Sequence, residues 1–185
     1  MPNTNPINDS GDVTRYIVEQ ARRVSPIHVH PIGAISKGSA GEELAQIAAM
    51  KEMGAVAISD DGRPVMNSQV MRDAMELAAK LGIPVIDHCE DLNLTTAATL
   101  HEVEMSSKPG LKGMPAAAED IMVARDLILA ELTGVRYHVA HISTRYSIAM
   151  VAHARRLGLP VTCEITPHHF TIADLDLIPG DVNYK

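Results

Sequence analysis

Two histidines and an aspartate stand at equivalent places in three separate stretches of the chain. Asp61 lies in Ser59-Asp60-Asp61-Gly62, His88 in Asp87-His88-Cys89-Glu90-Asp91, and His141 in His138-Val139-Ala140-His141-Ile142-Ser143-Thr144. Each falls at the C-terminal end of a short apolar run, at residues 55–58, 83–86 and 137–142. Two imidazoles and one carboxylate, if they converge, suit a borderline divalent metal such as zinc. Each residue also has a plainer reading. An Asp-Gly pair after an apolar run is an ordinary turn. The acids around His88 could orient its ring, or could be helix-start acids drawn to the dipole. What favours the ligand reading of Asp61 is that all three residues hold the same relative position.

The remaining histidines carry weaker signals. His138 and His141 are three apart, so on one strand they point to opposite faces, and His141 is the better candidate for a site at the strand end. His28 and His30 share a strand face, as metal-binding pairs do, but Pro31 follows at once and they read as structural. His168 or His169, after Thr166-Pro167, could also reach the site. No phosphate-binding glycine loop, dinucleotide fingerprint or serine-nucleophile elbow is present.

The elements that must position these residues alternate between strand-like runs and helices. The reading gives strands at 26–32, 55–58, 83–87, 137–142 and 159–164. Helices are expected at 13–23 (capped by Ser10 or Asp12), 42–53, 65–81 (Ser68 a possible cap), 116–133 and 144–157, with partial helix over 91–105. Residues 1–10 and 106–115 read as loops, and 166–185 as irregular with a short helix near 173–177. Glycines 54, 82, 134 and 158 close the helices. A strand, a turn and a helix repeated in series give parallel strands with helical crossovers. In a (β/α)8 barrel the C-terminal strand ends meet at one mouth, where the chemistry sits. No linker divides the chain, so residues 1–185 read as one domain.

Composition bounds the partners. Of the 185 residues 46% are hydrophobic, which excludes a disordered chain, and the length is below the roughly 200–250 of a full barrel. Aromatics are 3%, with no Trp and one Phe, so a base-stacking surface is excluded. A net charge of −7 argues against nucleic acid and anionic membranes. No apolar run approaches the roughly 20 residues of a membrane span. Cys89 and Cys163, near the ends of expected buried strands, do not form a disulfide framework, and a reducing cytoplasm is the expected compartment.

At these residues the chain resembles the dihydroorotases of the amidohydrolase superfamily, in the class found in bacteria. The markers are Met1-Pro2-Asn3-Thr4, Ser59-Asp60-Asp61-Gly62, His88-Cys89-Glu90-Asp91, the stretch from Tyr137 to Thr144, and Thr166-Pro167-His168-His169. The resemblance implies zinc-dependent, reversible cyclisation of N-carbamoyl-L-aspartate to dihydroorotate in pyrimidine biosynthesis. It implies one or two zinc ions, with Asp61, His88 and His141 as ligands and Asn3 holding a substrate carboxylate. Hydantoinases and allantoinases carry a metal-bridging carboxylated lysine where this chain has Ser59-Asp60-Asp61, which favours dihydroorotase. The family's first-strand His-x-His pair and eighth-strand general-base Asp find no match, the latter expected beyond Lys185. The chain therefore reads as an incomplete TIM-type (β/α)8 barrel, about strands three to seven with a stub of the second, and is expected to be inactive alone. An open arc has two unpaired edges, so oligomers, a homodimer among them, are expected. The alternatives are a non-catalytic scaffold subunit for aspartate transcarbamoylase, or another cyclic amidohydrolase.

Overall fold

The computed structural model describes residues 1–98, 100–102, 112–173 and 176. Helix α1 (Gly11–Val24) starts where the Ser10 side chain accepts from the Val13 N–H, and it ends with Arg22 and Arg23 at the negative end of its dipole. Ahead of it the 1–10 loop is pinned to the sheet. Buried Asn8 donates to the Ile32 carbonyl at 2.9 Å and accepts from Thr14 at 2.7 Å.

The expected strand at 26–32 is a correction: β1 covers only Ile32–Gly33. Pro26 and Pro31 lack the N–H a ladder requires, and His28, Val29 and His30 are left exposed. The helix expected over 42–53 is also shorter, α2 (Ile47–Glu52). Residues before it pair backwards instead: Lys37 N–H donates to Glu43 at 2.9 Å and Ala45 N–H to Ile35 at 3.0 Å. These bonds close around a 3-10 turn at Lys37–Ser39.

Strand β2 (Ala57–Ile58) leads to α3 (Ser68–Leu81), whose cap is Asn67 rather than Ser68. Its amide oxygen accepts from Gln69 at 2.9 Å and Val70 at 3.4 Å. Gly82 closes α3 at φ 66°, a backbone that glycine adopts without strain. Strand β3 (Val85–Asp87) is followed by α4 (Leu92–Thr95), shorter than the partial helix expected over 91–105. A short parallel pair follows, β4 (Leu100–His101) within that expected helix and β5 (Gly113–Met114) in the expected loop. Then come α5 (Ala117–Thr133), β6 (Tyr137–Val139), α6 (Arg145–Arg156), β7 (Val161–Cys163) and α7 (Pro167–Thr171). Helix α7 stands where the sequence read as irregular. The expected features at 103–105 and 106–111, and most of that at 173–177, lie outside the described residues.

The main sheet is five-stranded and parallel, in the order β1-β2-β3-β6-β7. One face carries Val85, Tyr137, Val139 and Val161 into a core with Met71, Met75, Val123 and Leu127 from α3 and α5. On the opposite face Ile86, His138 and Thr162 stand in register. They are half-buried or exposed, so the helices cover one side of the sheet. Among the described residues no helix is long and apolar enough to cross a membrane.

Candidate metal centre

Asp60 and Asp61 follow β2 and divide their work. Asp60 is fully buried and ties down the loop after β1. It accepts from Ile35 N–H at 2.9 Å, from Ser36 N–H at 3.2 and 3.3 Å, and from the Ser36 hydroxyl. Burial raises its carboxyl above the usual range, against the pull of those bonds. Asp61, 24% exposed, faces the C-terminal rim of the sheet.

His88 owes its direction to its neighbours. Asp87 and Cys89 are buried, and side chains alternate along an extended chain, so the residue between them is turned out of the core. Its Nε2 lies 2.8 Å from Glu90 Oε2, and Glu90 Oε1 accepts from the Thr95 hydroxyl at 2.5 Å. Burial acts to raise the Glu90 carboxyl, but the hydrogen bonds from Thr95 and His88 prevail and hold it below the usual range. A carboxylate on one ring nitrogen fixes the tautomer and leaves the other, Nδ1, as the donor atom for a ligand.

His141 reaches the same place by leaving the strand. Strand β6 ends at Val139. Ala140 N–H donates to the Asp87 backbone carbonyl at 3.0 Å and Ile142 N–H to the Glu164 backbone carbonyl at 2.8 Å. Between these two anchors His141 sits at φ 36°, in the left-handed region. That conformation costs an L-residue about 1–2 kcal/mol and gathers at functional sites. Alternation along a strand is therefore not what separates His141 from His138. His138 remains on the helix-free face, 2.7 Å from the Thr162 hydroxyl and 3.6 Å from Glu164.

The three candidate ligand atoms form a compact triangle. His88 Nδ1 and His141 Nε2 are 3.0 Å apart, His141 Nε2 and Asp61 Oδ1 3.4 Å, and His88 Nδ1 and Asp61 Oδ1 3.8 Å. Tetrahedral zinc with bonds of about 2.0–2.1 Å separates its ligand atoms by about 3.3 Å. The donor set and its spacing therefore fit such an ion. The side chains are 23%, 36% and 24% exposed for His88, His141 and Asp61, so the triangle opens to solvent.

The other candidates are elsewhere. Asn3 is exposed in the N-terminal loop, and among the described residues no hydrogen bond joins it to the triangle. His28 and His30 are exposed with rings 6.3 Å apart. His168 and His169 lie exposed on α7. Neither pair belongs to the cluster. Cys89 and Cys163 are both free thiols, and Cys163 is exposed rather than buried.

Spacing did not single out the buried polar chain beneath His88. The Cys89 thiol donates to Asp87 at 3.5 Å and lies 3.2 Å from the Tyr137 hydroxyl, which donates to Asp126 at 3.2 Å. Arg125 grips both Asp126 oxygens, at 2.8 and 3.1 Å, and donates to the Val65 carbonyl at 2.7 Å. Burial first, then the neighbouring acids, push the Cys89 thiol and the Tyr137 phenol well up. A polar Asp126 on an otherwise apolar helix face was the available signal. With Arg125 occupying Asp126, the chain serves as an anchor between β3, α5 and β6.

A parallel α/β sheet with a carboxylate and two imidazoles gathered at its C-terminal rim defines a class of proteins that place their chemistry at the carboxyl ends of strands. The fold matches the L-hydantoinase (dihydropyrimidinase) from Arthrobacter aurescens with a TM-score of 0.77 at 20% identity, over 94% of this chain and 40% of that one. The chain belongs to the dihydro-orotase-like family, whose model matches residues 1–147. It is 65% identical over 185 residues to a dihydroorotase from Solibacter usitatus and 50% identical over 185 residues to one from Pelotomaculum thermopropionicum. In both cases it spans 43% of the relative's length.

Proposed function

We propose that this chain is the central arc of a zinc-dependent dihydroorotase barrel, about strands three to seven with a stub of the second. The whole protein then interconverts N-carbamoyl-L-aspartate and dihydroorotate. The observation that carries the reading is the triangle of Asp61, His88 and His141, with edges of 3.0–3.8 Å. These three residues would hold the ion. A bound cation supplies Lewis acidity at the scissile carbonyl and makes a water more acidic. Glu90 keeps His88 oriented, the strained turn aims His141, and the Asn3 amide takes the substrate carboxylate. The open rim admits a small, soluble substrate. Having Asp60 and Asp61, not lysine, at this strand end favours dihydroorotase over the hydantoinases that share the fold.

On this reading the remaining ligands and the general base come from the rest of the barrel, so the 185-residue polypeptide alone turns over dihydroorotate negligibly. Metal analysis tests the ligand set. Zinc bound weakly by the purified chain, and lost in Asp61→Ala and in His141→Ala, is the expected result. Zinc content unchanged by both substitutions would refute the assignment. Hydrolysis by the chain alone at rates typical of an enzyme would refute the division of the site.

A further inference from the structure

The first turn of α5 touches both histidine-bearing loops. On one side the Asp91 N–H, three residues past His88, donates to the Ala118 carbonyl at 2.9 Å. On the other side Glu119 takes the segment just past His141. Its carboxylate accepts from the Ser143 N–H at 2.9 and 3.1 Å, the Ser143 hydroxyl at 2.5 Å and the Thr144 N–H at 3.1 Å. Asp120 continues the clasp. It accepts from the Thr144 hydroxyl, from Ser147 N–H at 3.1 Å and from the Ser147 hydroxyl at 2.9 Å.

Acids in a helix's first turn ordinarily serve that helix's own dipole. Here their oxygens are directed to the start of α6, whose free N–H groups and positive dipole end favour a carboxylate. The clasp therefore has an energetic reason to persist. It also has a geometric consequence. His141 stands in a strained backbone, and the chain leaves that strain within two residues, at the point Glu119 holds.

We propose that Glu119, supported by Asp120, is a positioning residue. It holds the His141 loop on the helix turn whose Ala118 carbonyl holds the His88 loop, and so sets the 3.0 Å approach of His141 Nε2 to His88 Nδ1. The inference rests on the reading of Asp61, His88 and His141 as cation ligands. Groups that orient metal ligands typically change affinity by about 10–100-fold when removed. Glu119→Ala in the 185-residue chain is therefore expected to weaken Co(II) binding by at least about 10-fold and to alter the visible Co(II) spectrum. Glu119→Gln, which keeps a carbonyl acceptor, restores most of both. In the metal-free chain Glu119→Ala also shifts the imidazole NMR signals of His141.

Gly134→Ala is the control. It strains the other end of the same helix, at φ 69°, and should lower Tm while leaving the Co(II) affinity unchanged. Wild-type affinity and spectrum in Glu119→Ala would overturn the proposal, as would an equal loss of affinity in Gly134→Ala. If the unaltered chain takes no Co(II), the ligand reading fails on its own account. The His141 ring signals then still decide, and signals unmoved by Glu119→Ala overturn the clasp.

Discussion

At His141 the backbone and the chemistry pull in opposite directions. A φ of 36° favours glycine, while the proposed cation site requires an imidazole there. His141→Gly and His141→Ala remove the same ring, but only glycine releases the strain. The glycine variant is expected to be more stable than the alanine variant by about 1 kcal/mol, and neither should retain zinc. Denaturant unfolding of the pair checks this, and an alanine variant equal to or above the glycine variant would show that the turn stores no strain. The convergence of Asp61, His88 and His141 was legible because residue type and position repeat: each follows an apolar run, and parallel strands bring such ends together. The division between Asp60 and Asp61 was not legible, because two adjacent acids look alike until the loop at 34–36 docks on one of them. Glu119 and Asp120 were hidden for a similar reason. In sequence they are indistinguishable from acids serving their own helix.

Strand and helix contribute differently to what could be read. Helices α3, α5 and α6 fell within a few residues of expectation because apolar periodicity and a closing glycine bound them. Strands β1 and β6 came out shorter, since pairing depends on partners distant in the chain and on where prolines or turns interrupt the ladder. Between these elements lies the buried chain of Asp87, Cys89, Tyr137, Asp126 and Arg125, and it makes a pH prediction. Burial first, then the facing Asp126 charge, push the Asp87 carboxyl well above its usual range, although Arg125 pulls it back. A group that holds its proton more tightly folded than unfolded stabilises the fold below its unfolded value of about 3.9. It loses that contribution as pH rises through the folded value. Stability should therefore fall as pH is raised out of the acid range, and Asp87→Asn, which does not titrate, should flatten that decline. Melting profiles of the two proteins with the same pH slope would sink the assignment.

For the whole molecule, the outer strands decide behaviour in solution. Among the described residues β1 and β7 each pair on one side only, and the helix-free face presents Ile86, His138 and Thr162 in register. Ile165 at 49% exposed and Phe170 at 65% add apolar surface beyond β7. Unpaired edges recruit other chains, and closed barrels remove them. The net charge of −7 opposes association, but screening at ordinary ionic strength reduces that repulsion to a range of about 8–10 Å. Edge pairing acts at contact distance and should prevail. The 185-residue chain is therefore expected to elute as dimers or larger species, increasingly so with protein concentration and added salt, and to melt broadly. Lysine placed at Thr162, central to β7 and exposed, should shift the population toward monomer by introducing an edge charge. A monodisperse monomer with a sharp, concentration-independent melt would show that the edges are already satisfied, and the open-arc reading would then be wrong.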